Sequence, residues 1–539
     1  MTLRWVALSG MSALVLVACG SSSDGDGGGA GNATAGSTGT TNGGSTSDGG
    51  ASSAGGASSG GSTASGGSSG TGSGVTPGVD CRGRTTNHLA GTRIRARNAV
   101  TSEGDRSWRG WHDSERGEDC EFMTAADGKL RCLPRDYRAR FYFTDPACSD
   151  KVVTFVEDDC STTAPKYFLS TEVESEGCDE VSRTAVHELG EPYDAAGALY
   201  TYDGARNCVA ASDPRPGPYY RKGTEVPPSA FVEAENRRWD GPAAISTLGF
   251  VGADGLLQVT GWADPMHGDL ECYFQLAEDG VERCLPFGNA TFSWYYEADC
   301  SSPLLFSSVC AEGEQGYAGA EVRSECGSKG TAIYRRGSKF TGEPYEKGID
   351  ACTPAVMDTP ITLYTRGEQV PSSEFTGVTP TRDETDGGRL EPVYHESPEG
   401  ACWFRGWYDT TLETECTFEL MSDGKLHCVP DVVPATSLIP TYSDPECLVE
   451  DTYVPYVEPC PGATLPRYVR APIEASLSSC SSFAVIYRIG EVVHNAELPT
   501  LYRKSSGSCG QASLTASSYV RLGAKLPPST FMEADLMVE

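Results

Sequence analysis

The sequence predicts an all-β protein built from three tandem, disulfide-stapled modules, and three observations predict it. A fixed order of unlike motifs recurs three times, the cysteines keep the same rhythm, and the intervening runs are short and β-branched or aromatic. Each copy opens on Gly-Trp-x-Asp, at Gly110–Asp113, Gly261–Asp264 and Gly406–Asp409. Each closes on Gly-x-x-[Val/Leu]-Pro-[Pro/Ser]-Ser-x-Phe, at Gly223–Phe231, Gly367–Phe375 and Gly523–Phe531. Runs such as ARFYFTD, KVVTFV and SYVRLG, separated by Gly, Pro, Asp and Ser, suggest roughly eight to ten strands per copy. No long stretch keeps a helical period.

The copies span residues 80–235, 236–380 and 381–539. Short antiparallel strands in tandem form either a closed β-propeller-like ring, with two or three blades per copy, or three separate β domains in a string. Of the 21 cysteines, eighteen fall six to a copy. They are Cys120, Cys132, Cys148, Cys160, Cys178 and Cys208; then Cys272, Cys284, Cys300, Cys310, Cys326 and Cys352; then Cys416, Cys428, Cys447, Cys460, Cys480 and Cys509. Cys81 and Cys402 have no counterparts in the other copies. A bond between them ties the N-terminal end to the last module, which favours the ring. Sequential pairs are the expected connectivity within each copy, although six cysteines permit fifteen pairings.

The most regular stretch is CEFMTAADGKLRCLP, from Cys120, echoed from Cys272 and Cys416. Its Asp-Gly pair, at Asp127, Asp279 and Asp423, signals a hairpin, because glycine accepts a positive φ without steric cost. The stretch thus reads as a stapled hairpin and not as a repeated active site. Lys129 becomes Val281 and Arg131 becomes His427, variation that a catalyst would not tolerate.

Residues 1–18 read as a secretory signal: a short positive start with Arg4, then an apolar run too short to span a bilayer comfortably. The sequence LVAC, Leu16 to Cys19, resembles the lipobox of bacterial lipoproteins. That resemblance implies cleavage before Cys19, attachment of acyl chains such as palmitate to this residue, and membrane anchoring through the lipid. Gly20, where the family uses Asp for inner-membrane retention, implies the outer membrane. Residues 19–79 are then the lipidated N-terminus and a disordered tether of Gly, Ser, Thr and Ala. As a random coil, about 60 such residues span roughly 40–45 Å. Export also places the cysteines in an oxidising compartment, where disulfides are the default.

The formal charge is −32, carried almost entirely by the modules, which disfavours nucleic acid as a partner. The chain has no CxxC pair and no DxDxDG loop, so neither zinc, iron–sulfur nor calcium is expected, nor any other cofactor. HELGE at His187 lacks the second histidine of HExxH. The other histidines do not repeat either: His112 aligns with Ala263 and Tyr408, and His88, His267, His395 and His494 stand alone. The repeated acids are Asp113, Asp264 and Asp409, and Asp145, Glu297 and Asp444 before the third cysteine; both sets read best as turn caps. Trp111, Trp262 and Trp407 are expected to fill module cores, whereas the unrepeated Trp108 and Trp403 are the better candidates for exposed contacts.

Two functions fit. One is a cell-envelope lipoprotein whose acidic ectodomain serves as a binding or structural module, with a protein or glycan as ligand. The other is a carbohydrate-active enzyme, a glycosidase or lyase, using two unrepeated carboxylates at one site assembled from unlike residues of the three copies.

Overall fold

The computed structural model describes residues 86–539 apart from short internal stretches, the longest being 156–164, 308–315, 432–440, 457–466 and 472–482. The signal, the lipobox and the tether lie outside the described residues, as do Cys81, Cys160, Cys178, Cys310, Cys326, Cys460 and Cys480. The described residues hold 35 strands and a few single 3-10 turns. Among them no helix is long and apolar enough to cross a membrane.

Fifteen strands form one closed ring. Copy one contributes Ile94–Thr101, Arg106–Asp113, Glu118–Thr124 and Leu130–Pro134 as an antiparallel meander. Copies two and three repeat it with Ser246–Gly252 to Glu282–Pro286 and with Leu390–Glu396 to Leu426–Pro430. The strand following each closing motif is handed on to the next copy. Glu233–Asp240 pairs with Leu130–Pro134 on one side and Ser246–Gly252 on the other, and Gly377–Arg382 bridges copies two and three in the same way. The last such strand, Met532–Val538, pairs with Leu426–Pro430 and with Ile94–Thr101, the first strand of the ring. The C-terminal strand therefore closes the circuit, and a string of independent domains is excluded.

Alternation explains the ring strands. In Ile94–Thr101 the residues Ile94 and Ala96 point inward while Arg95 and Arg97 point outward; a bulge at Arg97/Asn98 then shifts the buried phase to Ala99 and Thr101. The same bulge recurs at Leu248/Gly249 and Val393/Tyr394. Three apolar clusters line the inside, each built around a tryptophan of the opening motif and one stapled hairpin.

The rest of each copy forms an outlying sheet. Copies one and two each have seven strands in equivalent order, while copy three has a sheet of four and a pair. The closing motif joins sheet to ring. Phe231, Phe375 and Phe531 are buried in clusters that take residues from both, and each buried phenyl contributes about 2–3 kcal/mol. The motif's glycines make a close crossing: a Cβ on Gly223, Gly367 or Gly523 would meet the carbonyl oxygen of Glu188, Arg335 or Arg488 at 2.5, 2.6 and 3.0 Å.

The hairpin reading of CEFMTAADGKLRCLP holds. Gly128, Gly280 and Gly424 have φ of 76°, 79° and 80°, and Cys120–Cys132, Cys272–Cys284 and Cys416–Cys428 bridge the two arms. Sequential pairing fails beyond this first bond. Cys148 is joined to Cys208, Cys300 to Cys352 and Cys447 to Cys509, so the third cysteine of each copy pairs with the sixth. The reason is topological: the antiparallel pairing Phe143↔Tyr200 brings the turn at Cys148 beside the short strand Cys208–Ala210, sixty residues away. Cys402 is also disulfide-bonded; its expected partner Cys81 lies outside the described residues.

Candidate functional site

The repeated acids are spent on the frame. Asp113, Asp264 and Asp409 are buried and cap the turns that follow them, Asp113 accepting from the amides of Glu115 and Arg116, Asp264 from Met266, and Asp409 from Thr411 and Leu412. In copy one Arg93 forks onto Asp113 at 2.8 and 2.6 Å and donates to the Ala230 carbonyl, tying the opening motif to the closing one. Arg389 repeats this with Asp409 and Thr530. Copy two substitutes His267, whose Nδ1 lies 2.8 Å from Asp264 and whose ring stacks on Phe375 at 4.5 Å. Arg116 lies over Phe231 in the same manner, at 4.4 Å. His267 looks isolated in sequence because its counterpart is an arginine.

Asp145 and Asp444 each gather three backbone N–H groups of the turn at the third cysteine. These bonds, led by Asp150 N–H and Val449 N–H respectively, hold both carboxyls below the usual range. Glu297 instead accepts from the hydroxyls of Ser301 and Ser302. The turns put Cys148, Cys300 and Cys447 at φ of 52°, 55° and 53°, so a special backbone conformation accompanies each capping acid.

The variation from Arg131 to His427 conceals a constant role. Arg131 bonds Asp127 and donates to the Phe231 carbonyl at 2.9 Å, and Arg283 bonds Asp279 and donates to the Phe375 carbonyl at 2.7 Å. His427 places Nε2 at 2.9 Å from Asp423 and Nδ1 at 3.4 Å from the Phe531 carbonyl. Each is a latch from hairpin turn to closing motif, across a seam of the ring.

Trp111 and Trp407 are buried and Trp262 nearly so, packed in the ring core. Trp108 and Trp403 are buried as well, at 5% and 1% exposure, contrary to the expectation of exposed contacts. Both lie on ring strands facing inward: Trp108 packs edge-on against Trp111, and Trp403 against Trp262 and Phe274. His187 is also buried, stacked on Phe168.

The centre of the ring holds what the repeats do not encode. Thr86 to Leu89 reaches the same position in all three copies, the residue three before each Gly-Trp tryptophan. His88 packs against Trp108 with tilted rings 4.4 Å apart and accepts at Nδ1 from the Val259 amide, while Asn87 pairs through its amide side chain with both N–H and C=O of Phe404. Leu89 exchanges backbone bonds with Leu257. These contacts answer backbone groups beside the bulges, where the strand ladder is interrupted. His88 is 5% exposed, and burial pushes its imidazole down to about 3. Nothing in the sequence signals this: TNHL is a polar tetrapeptide outside the repeat.

The threefold pattern also breaks at the seam between copies two and three. Glu282 stands where copies one and three have Leu130 and Leu426, and His395 where copies one and two have Ala99 and Phe250. Glu282 accepts from Arg405 at 2.7 and 2.8 Å and lies 2.9 Å from His395 Nε2; Arg405 Nε reaches Glu415 at 3.1 Å. Burial works to raise the Glu282 carboxyl, but His395 and Arg405 outweigh it and hold it down to about 2. Burial pushes Glu415 up and His395 down. Two carboxylates on one guanidinium, displaced in opposite directions, are the best acid–base pairing among the described residues. Among those residues no group of three His, Cys, Asp or Glu side chains is arranged to hold a metal ion.

The chain belongs to a family of unknown function, DUF7481, whose profile matches residues 111–531. No curated protein and no solved structure matches it.

Proposed function

We propose that this chain is a lipid-anchored cell-envelope protein, attached through Cys19 to the outer membrane, whose disulfide-rich acidic ring acts as a binding or structural module. One observation carries the reading of the ring. Its repeated acids, tryptophans and hairpin cations are consumed in caps, core and latches, and its centre is filled by the chain's own Thr86 to Leu89. A ligand, protein or glycan, would then meet the outer surface. The reading of the anchor rests on the lipobox resemblance and the tether that follows it. Metabolic labelling with a clickable fatty acid should mark the wild type and not Cys19→Ser; equal labelling would overturn the anchor.

The carbohydrate-active alternative, on a propeller-like frame, is favoured by one observation, the opposed shifts of Glu282 and Glu415 around Arg405. A glycan panel assayed with wild type, Glu282→Gln and Glu415→Gln separates the two. No hydrolysis by the wild type supports the binding module; hydrolysis lost in either variant establishes the enzyme.

A further inference from the structure

The three seams of the ring are built on one plan, and two of them are apolar at its key position. At the first seam Leu130 packs with Phe122 and Phe250, the two rings 4.5 Å apart. At the third, Leu426 joins the cluster of Ala99 and Phe418. At the second, Glu282 replaces the leucine and His395 takes the place of Phe250 or Ala99, its imidazole 4.7 Å from Phe274, the counterpart of Phe122. Backbone pairing across the seam is short, Glu282↔Val378 and Arg283↔Gly377, reinforced by Cys284 N–H to the Thr376 carbonyl. A partly buried ion cluster thus sits beside few ladder bonds, at the position where the other two seams place a leucine.

We propose that the seam between copies two and three is the ring's acid-responsive joint, loosening on acidification before the other two. The titratable and charged groups facing one another there are Glu282, His395, Arg405 and Glu415, with Asp431 acting on Glu415. His395 has a native value below its ordinary 6.5, chiefly from burial, so the stability it confers is present above 6.5 and declines as pH falls below it. Glu282, held down to about 2, keeps its charge through that window and loses its contribution only below about 4.5. Glu415, raised by burial, takes a proton earlier than an ordinary glutamate; that uptake favours the folded chain but removes one of Arg405's two partners. As pH falls below 6.5 the imidazolium is thus favoured in the opened joint over the closed one, where burial and Arg405, whose Nη1 lies 3.2 Å from His395 Nε2, oppose it.

Hydrogen exchange with mass-spectrometric readout on the full-length protein, at pH 7.5 and 5.0 and corrected for intrinsic rates, tests this. Peptides covering 282–286 and 377–382 should lose protection by about tenfold relative to the first seam (130–134, 233–240) and the third (426–430, 532–538). The double change Glu282→Leu with His395→Ala, which rebuilds the second seam in the pattern of the third, should erase the difference. His395→Phe, in the pattern of the first seam, provides the same test should the double variant not fold. Equal pH dependence at all three seams, or an undiminished difference in the variants, overturns the proposal.

Discussion

His427 latches the seam at which the ring closes, and its removal is the sharpest test of how that seam is held. The side chain is 1% exposed, its Nε2 facing Asp423 and its Nδ1 facing the Phe531 carbonyl. His427→Ala removes the ring that donates between Asp423 and the Phe531 carbonyl, and leaves a buried acceptor unanswered. One donated bond and one uncompensated buried acceptor together amount to about 2–4 kcal/mol. Copies one and two use arginine at this position, donating at 2.9 and 2.7 Å to the equivalent carbonyls. His427→Arg is therefore expected to match or exceed wild-type stability. The assay is urea unfolding followed by tryptophan fluorescence, since the ring tryptophans are buried and report its opening. If His427→Ala is as stable as wild type, or His427→Arg as unstable as His427→Ala, the donor role is refuted and the residue matters only for its volume.

Further expectations follow from the same geometry. Asp409→Ala removes a fully buried cap and leaves Arg389 without its carboxylate, which should destabilise by about 3 kcal/mol in the same unfolding assay; a change under about 0.5 kcal/mol contradicts the capping role. Non-reducing peptide mapping should recover Cys148 with Cys208, Cys300 with Cys352 and Cys447 with Cys509; recovery of Cys148 with Cys160 instead would return the sequential scheme. His88, held neutral by burial with its native value near 3, confers stability that is full above its ordinary 6.5 and declines as pH falls toward 3. His88→Phe keeps a ring against Trp108 without the titration, so its acid-unfolding curve should be flatter over that window than the wild type's; parallel curves would show that His88 does not titrate with unfolding.

What could be read from the sequence was what repeats. The opening and closing motifs, the Asp-Gly hairpins and the capping acids each have a local physical cause, so a single chain displays them. The closed ring was legible too, though through Cys81 and Cys402, while the described contact that closes it is the C-terminal strand pairing with Ile94–Thr101. Connectivity beyond the first disulfide was hidden because Cys148 meets Cys208 through strand order, which cysteine spacing does not encode. The equivalence of Arg131, Arg283 and His427 was hidden for a different reason: residue identity changed while the donor's two acceptors stayed fixed. Trp108 and Trp403 run against the sequence expectation because absence from one copy does not mean exposure: asymmetry here marks the ring's interior. The same holds for His88, Glu282 and His395, the residues where the threefold pattern breaks and where most of the distinctive chemistry lies.

The three copies form one closed ring sealed by the strand Met532–Val538. Amide exchange of residues 532–538 in the native full-length protein tests it most directly. With 532–534 paired to 426–428 and 534–538 paired to 97–101, the amides that bond to those strands should be protected to the same degree as the paired amides of 426–430. Exchange at the rate of an unstructured tail, with 94–101 equally unprotected, would contradict ring closure.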